Sequence, residues 1–310
     1  MSSEAESATD VPVAERSTRS IDLESVRAIA RKDFRDAVRS WLFWGLSVFF
    51  FALLVTLTGV ISYFGGDVIL AEGATTEVLV GQVYGVGSLI IPVIALVLGW
   101  KAIAGERESG SIKIMLSLPH SRRDVVLGKL VGRAGVLSLS LLVGFVLAAV
   151  PVAVLLGTFD PTDYVGLLAV SILYGIVYTS VAIAVSSVTR STTFAAAGAF
   201  GVFVLFYVVW GTIATAVGFL MAFDYLPESE TIAELTMLFQ NLNPNAAYGN
   251  VLSLVTSAAE LGEQEVAALE TMFDGSIPFY LQDWFALLIL LAWIVIPVAL
   301  AIYRFDRTDL

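Results

Sequence analysis

The sequence predicts an all-α integral membrane protein: six transmembrane helices, an N-terminal amphipathic elbow helix before them, and a small helical outer cap before the last span. Three observations predict it. The composition is 57% hydrophobic and 15% charged, more apolar than a soluble domain of this length requires. Six stretches (41–62, 83–101, 134–157, 165–188, 194–223 and 284–303) are long enough to span a bilayer, since a hydrocarbon core of about 30 Å takes about 20 helical residues. All 17 Lys and Arg fall in four segments that six crossings place on one side. Seven precede Trp41, seven lie in 101–133, and Arg190, Arg304 and Arg307 complete the set.

The positive-inside rule makes that side cytoplasmic, with both termini inside a cell membrane. The opposite loops, 63–82, 158–164 and 224–283, hold 15 carboxylates and no basic residue, against 13 carboxylates on the basic side. Such an acidic face suits either a high-salt habitat, where charges are screened within about 3 Å at 1 M, or an ordinary acidic ectodomain. There is no cysteine, which excludes disulfide and thiolate chemistry.

Taken in order, residues 1–20 are Ser-, Thr-, Ala- and Glu-rich and read as a disordered cytoplasmic tail, with no apolar run for a cleavable signal. Residues 21–40 read as an amphipathic interfacial helix capped by Asp22. Its apolar positions are Leu23, Val26, Ala30, Phe34, Ala37 and Val38, and Arg27, Arg31 and Arg35 form a separate i,i+4 stripe. The run continues into Trp41 and Trp44, aromatic anchors at interface depth. The bilayer is therefore the partner expected for Arg27, Arg31, Phe34, Arg35, Trp41 and Trp44.

Residues 41–310 form the six-helix domain. The third and fourth spans are joined by a short turn over 157–163, and the fourth and fifth by 186–193. The outer segment 224–283 predicts a helix to Gln240, a break at 241–245, and a second helix capped by Asn245 and running to about Leu261.

Missing residue types exclude several functions. None of the six spans carries Asp, Glu, Lys, Arg or His in its interior. Ion-coupled carriers keep such groups despite a cost of about 2.5–3.5 kcal/mol each. The single histidine, His120, lies in a loop, so neither a Ser–His pair at depth nor a zinc site of the usual ligands can be assembled. No catalytic residue, metal, cofactor or nucleic-acid partner is expected. A phosphate loop needs Gly-Lys-Ser/Thr, and the four lysines are followed by Asp33, Ala102, Ile114 and Leu130. If the protein is a pump, its motor is a separate polypeptide.

The surface suited to that motor is the loop 101–133. The second span is expected to continue as a helix to about Glu108 and to break at Ser109-Gly110. Ile112, Met115 and Leu116, flanked by Ile114 and Leu118, give a short helix an apolar face that Pro119 stops. Ser121-Arg-Arg-Asp124 has capping-box form and starts the helix feeding the third span. Exposed apolar residues between charges suit a partner's groove, or the protein's own interfacial helix.

The run from Glu106 to Lys129, ERESGSIKIMLSLPHSRRDVVLGK, resembles the loop between the second and third spans of type-2 ABC exporter permeases. The likeness is greatest to the branch associated with copper and nitrous-oxide reductase maturation, with Ile114-Met115 where Leu-Leu is usual. Asn243-Pro244 followed by Ala247-Tyr248 resembles the Ser/Asn-Pro stretch of the same family. The resemblance implies a permease that pairs with a second permease subunit and carries cytoplasmic ATP-binding subunits. It implies an ATPase-coupling role for Glu106, Glu108, Ser109, Gly110, Ile112, Met115, Leu116, Leu118, Arg122 and Arg123. The alternative is an ATP-independent membrane scaffold or assembly factor of the same fold.

Overall fold

The structure, a computed structural model, describes residues 21–64, 75–112, 121–227, 229–257 and 278–307, together with 267 and 273. The expected tail over 1–20, and Met115, Leu116, Leu118 and His120, lie outside the described residues. Among the described residues the regular elements are helical, and six helices are long and apolar enough to cross a membrane.

Helix α1, Leu23–Val38, is capped as expected: the Asp22 side chain accepts from the Glu24 and Ser25 amides. Its buried side is Ser25, Ile29, Ala30 and Ala37, whereas Leu23, expected on the apolar face, is exposed. That side lies along α5, Arg122–Leu156, the third span extended outward. Close approach depends on glycine: a Cβ at Gly128 would lie 2.7 Å from Ile29 carbons, and one at Gly132 2.9 Å from the Asp33 Cβ. The first span, α2 (Trp41–Phe64), meets the same helix further along, where a Cβ at Gly144 would lie 2.6 Å from the Phe50 Cβ.

The second span, α3, is Thr75–Gly99 and starts earlier than the hydropathy suggests. It does not run unbroken to Glu108. A turn at 100–103 intervenes and a short helix α4, Ala104–Glu108, follows. Helix α5 is one piece from the capping box of Ser121 and Asp124 to Gly157, whose φ of 75° closes the C-terminus in the left-handed region that glycine tolerates. Asp160 then caps the fourth span, α6 (Pro161–Val188). The fifth span is α7, Thr192–Val204, a π-turn at Leu205–Val209, and α8, Trp210–Ala222. The sixth is α11, Asp283–Asp306.

The outer segment departs from expectation. It is helical, with α9 at Glu230–Asn241 and α10 at Pro244–Val255. Its break is capped by Asn243 with Pro244 as first helical residue, not by Asn245, because proline's fixed φ and missing N–H suit that position. It is also not a cap resting on the spans. Asn245 accepts from Tyr174 and Tyr178 of α6, and Trp293 of α11 donates to the Leu242 carbonyl. Tyr174 lies about 20 Å along α6 from its acidic end, and Trp293 about 15 Å along α11, roughly two thirds and one half of a hydrocarbon core of about 30 Å. The two helices form a re-entrant hairpin. Its tip avoids lipid, as non-helical backbone at that depth must: Asn243, Pro244, Ala247 and Tyr248 are buried in protein.

Candidate functional site

At the basic end the segment after the second span is tied to four other helices. Ser186 of α6 accepts from the Ile103 and Ala104 amides at 3.0 Å each and donates to the Trp100 carbonyl, so it both ends the turn and starts α4. The next three side chains diverge. Glu106 lies 2.5 Å from Lys129 of α5. Arg107 donates to the Ser187 and Thr189 carbonyls at the C-terminus of α6, at 2.8 and 2.9 Å. Glu108 accepts from the Thr192 amide, the first of α7, at 2.6 Å. Glu106 meets a side-chain cation, while Arg107 and Glu108 each meet the helix end of complementary sign: a cation at a C-terminus, an anion at an N-terminus.

These contacts bear on ionisation. The Thr192 hydrogen bond holds the Glu108 carboxyl below its ordinary value, so the contact persists at neutral pH and is given up only in acid. Burial, then the charges of Arg190 and Arg122, push the Arg107 guanidinium down from its ordinary value.

Beneath α4 lies a buried ionic cluster. Lys129, with 8% of its side chain exposed, sits 2.8 Å from Asp33 of α1 as well as near Glu106. Arg133 approaches the other Asp33 oxygen at 2.8 Å, close enough to pair but not aligned for a hydrogen bond. Two carboxylates and two cations balance, so the cluster is neutral. It joins α1, α4 and α5, and the glycines at 128 and 132 set how near α1 can come.

The remaining predicted positions divide. Ser109 bonds to Ser111 and to the Glu106 carbonyl, and Gly110 has φ of 75°, which ends α4. Ile112 is buried against Ile29, Ile103, Val125, Val126 and Phe305, so it is no part of an exposed face. Hydrophobicity alone could not distinguish a side chain facing a partner from one facing the protein's own core. Arg122 donates to the Phe305 carbonyl at 2.7 Å and Arg123 pairs with Asp306 at 3.0 Å, which brings the end of α11 to the same place. On α1, Arg27, Arg31 and Arg35 are exposed, Phe34 is half-buried against α5, and Trp41 and Trp44 are exposed beyond it.

Three residues of this end were missed in the sequence reading: Arg107, Lys129 and Phe305. Phe305 is fully buried between two guanidinium groups, Arg107 at 5.1 Å and Arg122 at 5.8 Å from its ring centre. Arg107 and Lys129 lie within the run that carries the family resemblance, which is the signal that could have found them, whereas Phe305 offered only its bulk.

A second polar cluster, at mid-depth, joins Asn243, Asn245 and Tyr248, from the stretch with the family resemblance, to Tyr174 and Tyr178, which the sequence did not mark. Tyr174 and Tyr248 stack with ring centres 4.2 Å apart. Tyr174 has both the Ser88 carbonyl and Asn245 Oδ1 within reach of its one proton, and Tyr178 also donates to Asn245. Asn243 donates at 2.9 Å to the Phe206 carbonyl, inside the π-turn of the fifth span. The re-entrant tip is thereby locked to the second, fourth and fifth spans.

Among the described residues no group of His, Asp and Glu is placed to hold a metal ion. Comparison with known proteins agrees with the layout. The model of the ABC-2 family transporter protein matches residues 27–310. The probable ABC transporter permease protein NosY of Stutzerimonas stutzeri is 28% identical over 291 residues, covering 92% of this chain and 99% of that protein. Its namesake in Pseudomonas aeruginosa is 34% identical over 144 residues, covering 43% of this chain and 51% of that protein.

Proposed function

The chain belongs to the ABC-2 family of transporter proteins, and on that premise we propose that it is the permease subunit of an ATP-driven exporter. A separate ATP-binding subunit docks at the basic, cytoplasmic end, and its hydrolysis drives a substrate toward the acidic side. The carrying observation is the divergence of Glu106, Arg107 and Glu108 onto the third, fourth and fifth spans. With Lys129 reaching α1 and Arg122 reaching the end of α11, a displacement applied to this one segment reaches every span except the first directly.

Internal use of Ile112, Arg122 and Arg123 narrows what remains for the motor. The handle is the adjoining stretch 113–120, with Met115, Leu116 and Leu118, in the same chain segment that α4 anchors. A second permease subunit pairs through the outward side of the fifth span, where Phe194, Phe200, Val208 and Phe219 are exposed. Among the described residues no element covers that side.

The test of the handle is the double substitution Met115→Asp with Leu116→Asp. Apolar side chains buried at a partner surface contribute about 1.5–3 kcal/mol each, and such energy concentrates in few residues. The variant should insert into the membrane at normal levels and fail to co-purify with its ATPase. Wild-type retention of the ATPase by an inserted variant overturns the docking site. Orientation has its own check, made clean by the absence of native cysteine. A cysteine at Ser229 should react with an impermeant thiol reagent applied to intact cells, and one at Ser3 or Thr308 should not. Reaction at Ser3 from outside reverses the topology.

A further inference from the structure

The inward side of α1 is paired, but among the described residues its outward side is not. Arg31, Lys32, Arg35 and Arg39 line one hollow of about 550 Å³, with Asp36 the single acid among them. Among the described residues none of these four cations has a carboxylate within ion-pair distance. Two residues after Arg39 the first span begins, and its opening turns form one wall of an apolar groove of about 730 Å³. Trp41, Gly45 and Phe49 of α2 face Leu89, Val93 and Ile94 of α3 across it. The lining on α2 extends over about 12 Å, close to the depth of one leaflet in a core of about 30 Å. Gly45 leaves it open, since a Cβ there would meet nothing within 4 Å.

We propose that this groove and the cations beside its mouth form a binding site for one anionic phospholipid. The phosphate sits at Arg35 and Arg39, and an acyl chain lies along Gly45 between the first two spans. Charge complementarity selects this occupant. A zwitterionic lipid fills the groove but leaves a cluster of unpaired cations, and so does an apolar helix of a second copy. Free phosphate satisfies the cations and leaves the groove empty. Trp41, 94% exposed at the mouth, stands at headgroup depth, where indole is favoured. The site rests on the membrane placement of the spans and not on the docking of an ATPase, so the two stand or fall separately.

The full chain, reconstituted in phosphatidylcholine vesicles with a trace of phosphatidylglycerol bearing a photoreactive mid-chain group, tests this. Cross-links should map to 41–49 and 89–94, and unlabelled phosphatidylglycerol should displace them far better than phosphatidylcholine. Each basic side chain near a headgroup is worth about a fivefold preference, so R35Q with R39Q should lower the preference by more than tenfold while labelling by a phosphatidylcholine probe persists. Gly45→Leu, whose Cβ meets nothing within 4 Å, should block labelling by both probes. Equal displacement by the two lipids, or unchanged labelling in Gly45→Leu, overturns the proposal. Displacement by inorganic phosphate alone also overturns it, by reducing the site to the cations. So does an unlabelled groove in which Gly45→Cys forms a disulfide between two chains, since a second copy then covers it.

Discussion

Lys129→Ala destabilises the protein more than any other single substitution at the basic end. The lysine is 8% exposed and holds two carboxylates, Asp33 at 2.8 Å and Glu106 at 2.5 Å. Its removal leaves one cation, Arg133, to balance both, and brings like charges together where water is scarce. Breaking a buried pair from one side costs about 3–5 kcal/mol. The expected result is a large fall in thermal stability in detergent, with α1 becoming accessible to protease. Lys129→Met combined with Glu106→Gln should recover most of the loss, because Asp33 and Arg133 then remain a balanced pair. A single alanine variant that melts like wild type would mean that the cluster is hydrated and contributes little. A double variant no better than the single would place the cost in packing, not in charge.

The second large effect is expected at mid-depth. Asn245→Leu removes the acceptor shared by Tyr174 and Tyr178. Tyr174 can turn to the Ser88 carbonyl at 2.9 Å, whereas the buried Tyr178 hydroxyl loses its amide acceptor and keeps only the Tyr174 hydroxyl beside it. An unsatisfied buried donor costs about 1–3 kcal/mol, and the loss falls on the contact that holds the re-entrant tip. Global melting should change modestly, while a cysteine placed at Asn243 should gain reactivity toward a thiol reagent from the acidic side. Unchanged reactivity would show that the tip is held without Asn245, by contacts such as the stacking of Tyr248 on Tyr174. The comparison separates a locally loosened hairpin from a generally destabilised protein.

The two sites differ in how they are built. The basic-end cluster uses charges at a depth where headgroups and water are near, so helix-end dipoles and ion pairs are affordable. The mid-depth cluster uses only phenols, amides and carbonyls, groups that satisfy one another without net charge. That division follows from the bilayer, which penalises a charge most at its centre.

What the sequence determined by itself is the set of long-range physical constraints that act on one helix at a time. Hydropathy placed the six spans, the distribution of 17 basic residues put the loops of 101–133 and 186–193 on one side, and Asp22 and the Ser121–Asp124 box marked helix starts that the structure has. Tertiary structure decided which side chain faces which neighbour. Ile112 reads as exposed in a loop and is buried, Glu106 and Glu108 also bind other helices of the same chain, and the hairpin of α9 and α10 reads as part of a cap but packs its tip midway along α6 and α11. The physical reason is that each outcome depends on pairs far apart in the chain. Gly128 and Gly132 matter only because Ile29 and Asp33 lie against them, and Asn243 is buried only because Phe206 offers a carbonyl at the π-turn. A periodicity registers that a residue is apolar or polar, and burial of a polar residue depends on a partner that only the packed helices supply.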